Sequence, residues 1–166
     1  MAASASNIRP ATEADLVAIN DIYNYYVRCS TCTYQDEPSS LSERRDWFAG
    51  HGPSHPVVVY QEGSEVGGWA SLSRFHARSA YRHTVENSVY VRSDLHGRGI
   101  GSVLLGHSIE QARQLGHRTI LALIDADQTA SIAIHRKFGF EEVAHLRQVG
   151  FKFGRWLDVV YLQLLL

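Results

Sequence analysis

The stretch SDLHGRGIGSVLL, residues 93–105, limits what this chain can fold into more than any other part of it. Gly97, Gly99 and Gly101 stand at alternate positions, after the strand-like run Val89-Tyr90-Val91 and at the head of a helical pattern. That pattern is Ile100, Val103, Leu104, Ile109 and Ala112, and it stops at Gly116. A glycine-rich turn between a strand and a helix exposes consecutive backbone N–H groups at a helix N-terminus, where the dipole also favours an anion. Glycine lets a phosphate reach the backbone there and permits positive φ. The spacing is neither a Walker loop, which needs G-K-[ST], nor the dinucleotide fingerprint G-x-G-x-x-G. On this stretch alone, a phosphate cradle, a tight turn and close helix packing all stay open.

The rest of the chain is punctuated regularly. Residues 1–6 are expected to be flexible, and Asn7-Ile8-Arg9 to form a brief strand. Thr12, with Asp15 three residues on, makes a variant capping box for a helix whose apolar face is Leu16, Ile19, Ile22, Tyr23 and Tyr26. Residues 41–50 give a second helix ending at Gly50, and residues 56–73 two strands turning at Glu62-Gly63-Ser64. Residues 74–84 are a polar, basic loop, and residues 84–95 a strand. Residues 118–125 are a buried strand, 127–139 a helix closed by Gly139, and 141–166 a final pair of strands. The order β-α-α-β-β-β-α-β-α-β-β predicts an α/β fold on a mixed sheet.

With 166 residues, no linker and no internal repeat, a single domain spanning 1–166 is expected. A formal net charge of -1 gives no basic field to recruit nucleic acid or an anionic membrane. No apolar run reaches signal-peptide or membrane length, so a soluble cytoplasmic protein is expected. Cys29 and Cys32 form a lone C-x-x-C with no second ligand pair, and no H-E-x-x-H occurs. They read as two thiols at a helix end, and no metal is expected.

The segment V-Y-V-R-S-D-L-H-G-R-G-I-G-S-V-L-L resembles the signature of the GNAT N-acetyltransferase superfamily, in which [QR]-x-x-G-x-[GA] grips the acetyl-CoA pyrophosphate. His96 stands where that family usually has Gln or Arg. The later D-A-D-Q-T-A-S-I-A-I-H-R-K-F-G-F is similar to its second marker, a helix ending in a Gly-Phe turn. S-T-C-T-Y-Q-D-E-P, R-F-H-A-R-S-A-Y-R-H-T-V-E-N-S-V-Y-V and G-F-K-F-G-R-W-L-D-V-V-Y resemble the phosphinothricin and methionine sulfoximine N-acetyltransferase branch. The resemblance implies a central, mostly antiparallel mixed sheet flanked by helices, with acetyl-CoA in a splay between two central strands. It implies acetylation of the α-amine of a small amino-acid-like substrate, and a homodimer.

Residue by residue, the resemblance makes Glu86 the general base. Without it, Glu86 reads as a surface glutamate at a strand edge. It places His135 where a proton is given to the sulfur or relayed from the amine; otherwise His135 is a core histidine. Val89, Tyr90 and Val91 would pair with pantetheine. Gly97, Arg98, Gly99, Ile100, Gly101 and Ser102 would take the pyrophosphate, with Gln128, where Asn is usual, and Lys137 further along. His76, Ala77 and Arg78 match the substrate-contacting segment, and the Arg78 guanidinium suits a carboxylate. Tyr34 and Trp69 are candidate pocket walls. Two other readings compete: an acetyltransferase of another small amine or a protein N-terminus, and a non-catalytic acyl-CoA sensor. The presence of Glu86 and His135 argues against the sensor.

Overall fold

The computed structural model describes residues 3–166. Seven strands form one sheet. In chain order the elements are β1 (Ile8–Pro10), α1 (Leu16–Cys29), α2 (Leu41–Ala49), β2 (Val57–Glu62), β3 (Glu65–Arg74) and β4 (Thr84–Val91). There follow α3 (Ile100–Gln114), β5 (Thr119–Asp125), α4 (Thr129–Lys137), β6 (Glu141–Lys152) and β7 (Arg155–Leu165). The expected order and the mixed, mostly antiparallel sheet are both found: the strands lie in the order β1-β2-β3-β4-β5-β7-β6, and among the described residues β4 and β5 are the single parallel pair. A parallel pair needs a crossover, and α3 supplies it.

At β2 and β3 the sheet is buried on both faces. Val57, Val59 and Trp69 pack under α1 with Leu16, Ile19 and Ile22. The intervening residues Val58, Tyr60 and Ala70 point the other way, to Ile100 and Leu104 of α3. This is why β2 reads as a continuous run of valines rather than an alternating one. At β4 the same alternation sends Tyr90 to the α1 side and Val85, Val89 and Val91 to the α3 and α4 side.

Some boundaries differ from the sequence reading. Within the start expected to be flexible, Ala5–Asn7 form a 3-10 turn entered through Ser4, whose Oγ accepts from the Ser6 N–H. Met1 and Ala2 lie outside the described residues. The strand expected over 84–95 ends at Val91, because Ser93–Leu95 close a 3-10 turn held by Leu95 N–H donating to Arg92 O. The basic loop contains its own short turn, Ser79–Tyr81. Cys29 and Cys32 are both free thiols.

Candidate active site

β4 and β5 are paired only at Thr84–Glu86 against Thr119–Leu121. Beyond that point the strands separate, and α4 approaches the gap from the side of α3. The ladder with β3 fixes which backbone groups face the opening. Arg92 N–H donates to Gly67 O, so Tyr90, Ser88 and Glu86 also turn their amides towards β3. Val89 and Val91 turn theirs towards β5, which is no longer there to take them. The Val91 carbonyl is taken instead by the Tyr26 hydroxyl, which in turn accepts from His96 Nε2 at 2.6 Å.

A cavity of about 1140 Å³ occupies this gap and runs from α1 and α2 to the start of α3. Its far end is the glycine turn. Gly97 and Gly99 have φ of +75° and +83°, so the turn itself needs glycine at both positions. A Cβ built at either would meet nothing within 4 Å, which leaves open space against the backbone. Gly99 is the N-cap of the 15-residue α3, whose first N–H groups are without a helical partner.

Glu86 is half-buried on the cavity wall, at the last paired rung of β4 and β5. Burial alone pushes its carboxyl pKa up. Its neighbour Asn87 faces the opposite side of the strand and donates from Nδ2 to His135 Nε2 at 3.1 Å. The direction follows from the other ring nitrogen. His135 Nδ1 lies 2.8 Å from Ser131 O, and a carbonyl can only accept, so Nδ1 carries the hydrogen. His135 is buried, and burial lowers its pKa, so the ring is neutral with Nε2 as acceptor. In this arrangement the ring has no N–H left for a departing thiolate. Asn87 Oδ1 is buried without a partner among the described residues, and a group filling the gap would have to satisfy it.

Val89 to Val91, Gly97, Gly99 to Ser102, Gln128 and His135 line the same cavity as Glu86, as do Tyr34 and Trp69. The other residues singled out from the sequence do not. Arg98 is engaged in an ion pair with Glu62, and Lys137 stands exposed in the last turn of α4. His76, Ala77 and Arg78 are exposed on the β3–β4 loop, where the Arg78 N–H donates to His76 Nδ1 at 3.1 Å. Two contributors were missed from sequence. Asn87 carries no motif. Arg44 sits in a charged helix that reads as solvent-facing, yet it is only 4% exposed and lines the cavity.

A strand pair that opens beside a glycine turn matches more than a pattern. Residues 19–140 match the acetyltransferase (GNAT) family. The chain belongs to that family. The acetyltransferase is 41% identical to the L-methionine sulfoximine/L-methionine sulfone acetyltransferase of Pseudomonas paraeruginosa, over 96% of this chain and 94% of that one. Among solved structures it superposes with TM-score 0.94 on a phosphinothricin acetyltransferase from Sinorhizobium meliloti in complex with acetyl-CoA. The identity there is 38%, covering 100% of this chain and 89% of that one. A structure from Brucella melitensis described as ribosomal-protein-alanine N-acetyltransferase is 42% identical, with TM-score 0.93, covering 96% of this chain and 99% of that one. The mixed sheet with its four helices is therefore the GNAT fold, and the acetyltransferase is an N-acetyltransferase.

Proposed function

We propose that this enzyme transfers an acetyl group from acetyl-CoA to the α-amine of a small amino acid of the methionine sulfone, methionine sulfoximine or phosphinothricin type. The observation that carries the reading is Glu86: a half-buried carboxyl with a raised pKa, without an ion-pair partner among the described residues, at the point where β4 and β5 part. The gap fits the cofactor. Val89, Tyr90 and Val91 offer a strand edge, and Asn87 Oδ1 is an unpaired acceptor beside it. Gly97, Gly99, Ile100, Gly101 and Ser102 offer backbone N–H groups at a helix N-terminus for the pyrophosphate. Gln128 lies on the wall, its Nε2 donating to Thr31 Oγ1 at 3.3 Å. Arg98 and Lys137 belong to the rim in this reading. Acetyl-CoA supplies an activated acyl thioester.

The chain's own residues do the rest. Glu86 takes a proton from the bound ammonium, directly or through a water, because only the neutral amine attacks. A raised pKa makes it a better base once ionised. His135 holds Asn87 in one orientation, and Asn87 sets the acceptor that faces the gap. His76, Ala77 and Arg78 form an outer rim, where the Arg78 guanidinium meets the α-carboxylate. The enzyme works in the cytoplasm. It does so as a homodimer that covers the exposed apolar side chains of the β6–β7 hairpin, Val149, Phe151, Phe153 and Trp156 among them.

The test is release of free thiol from acetyl-CoA with a panel of acceptors: L-methionine sulfone, L-methionine sulfoximine, phosphinothricin, the amide of methionine sulfone, and a peptide with an N-terminal alanine. Turnover of the free amino acids well above the amide and the peptide supports the reading. Turnover of the peptide alone would replace it with a protein N-terminus as acceptor, as the description of the Brucella relative suggests.

A further inference from the structure

Arg44 is an unusual residue to find inside a wall. Its guanidinium carbon lies 4.5 Å from the Tyr23 ring centroid and 4.8 Å from that of Trp47. Its Nε donates to Asn20 Oδ1 at 3.2 Å. Its two terminal nitrogens have no partner among the described residues, and no carboxylate pairs with it. Among the described residues, no other arginine or lysine lines the cavity. A buried cation without a counter-charge is costly, and two aromatic faces offset only part of that cost. A planar fork with both prongs unfilled, on a cavity wall, fits a ligand that offers two acceptor atoms side by side.

The sheet shows which part of the ligand that is. Glu86 pairs with Ser73, and four residues on Tyr90 pairs with Trp69. Trp69 stacks on Tyr90 at 4.8 Å and packs against Trp47 at 5.4 Å and Tyr23 at 6.4 Å, the two rings that sandwich Arg44. Arg44 therefore lies over a rung roughly 13 Å along the strand from Glu86. The carboxylate of an α-amino acid is too near its amine to bridge that span. A group at the end of a methionine-like side chain is four bonds from the amine, each of about 1.5 Å. Hydrogen bonds of about 3 Å at both ends bring the reach to roughly 11 Å.

We propose that Arg44 receives the tetrahedral head of the acceptor, the sulfone, sulfoximine or phosphinate group, by a two-pronged hydrogen bond. Each of these heads presents two acceptor atoms on one sulfur or phosphorus, whereas the thioether of methionine is a weak single acceptor. Arg44 is then a specificity-determining residue, placed opposite the amine end at Glu86. The inference rests on the reading that the acceptor is such an amino acid.

The test is kcat/KM by thiol release for L-methionine sulfone, L-methionine and methionine sulfone amide, with wild type, Arg44→Lys and Arg44→Met. The lysine variant keeps the charge and much of the stem, so it guards against a methionine variant that fails to fold. Acetyl-CoA affinity by calorimetry verifies that each variant is folded. The expected result is a sulfone-over-methionine preference that falls roughly tenfold or more in both variants, with the acid-over-amide preference kept. Equal losses on sulfone and methionine would overturn the proposal and leave Arg44 as packing. Loss of the acid-over-amide preference instead would overturn it by assigning Arg44 to the carboxylate. A wild type that acetylates neither amino acid would remove the underlying reading, and this inference with it.

Discussion

Glu86 and Asn87 are adjacent in the chain but serve opposite faces of β4, one towards α1 and α2, the other towards α4. The Asn87–His135 contact constrains protonation. If the ring gained a second proton, Nε2–H would confront the Asn87 Nδ2–H, and the carboxamide would have to flip. Burial lowers the His135 pKa below the ordinary 6.5. A depressed pKa means that its contribution to stability is complete above 6.5 and is lost as pH falls towards the lower native value. Nitrogen NMR of the imidazole should therefore find a neutral Nδ1–H ring that does not titrate in the neutral range. A normal titration near 6.5 would contradict this geometry. Glu86 and His135 were legible because they stand in family-like segments. Arg44 was not, since Arg44 and Arg45 are side by side in LSERRDWFAG and only packing makes the first buried and the second exposed.

Elements were read from sequence more faithfully than their ends. Period and caps mark the middle of a helix or strand, whereas the 3-10 turns at 5–7, 13–15, 79–81 and 93–95 depend on individual backbone bonds. The capping residues chosen from sequence close a 3-10 turn, Glu13–Asp15, that leads into α1 at Leu16. Asp15 Oδ2 accepts from both Thr12 N–H (2.8 Å) and Thr12 Oγ1 (2.9 Å), and Asp15 Oδ1 accepts from Arg9 at 2.7 Å. Chiefly through the Arg9 bond, the Asp15 pKa falls to about 2. Its folded value is depressed, so its stabilisation is present above the usual 3.8 and is lost as pH falls through about 2. Asp15→Asn should cost about 1–2 kcal/mol at neutral pH, discounted because Arg9 is partly exposed. In denaturant titrations that gap should close as pH approaches 2. The glycine turn can be tested at Gly101, which lies within α3 and so carries no backbone strain. A methyl there would make ordinary contacts, 3.7 Å to Val91 and 3.9 Å to Ile134, both on the cavity wall. Gly101→Ala should keep or raise Tm, since alanine favours a helix, yet weaken acetyl-CoA binding roughly tenfold in calorimetry. Unchanged affinity would mean that the turn is only a turn.

At the scale of the molecule, the β4–β5 splay is what local sequence showed least, because it depends on where a parallel ladder stops. Family-like segments, rather than periodicity, pointed to it. The apolar hairpin has its own consequence. Phe151 and Trp156 pack edge-to-face at 5.1 Å while remaining 56% and 61% exposed, so a second copy covering them should double the 18.6 kDa mass in light scattering. Trp156→Asp should return the mass to that of one chain. In the proposed reaction the opening in the sheet brings an amine to Glu86. The most direct measurement is kcat/KM against pH for wild type and Glu86→Gln with L-methionine sulfone as acceptor. The wild-type rate should rise through the raised carboxyl pKa, because the base works only when ionised. Glu86→Gln should lie about 10²–10⁴-fold lower and follow the amine's own ionisation alone. Superimposable profiles with equal plateaus would contradict the account and leave Glu86 a structural residue.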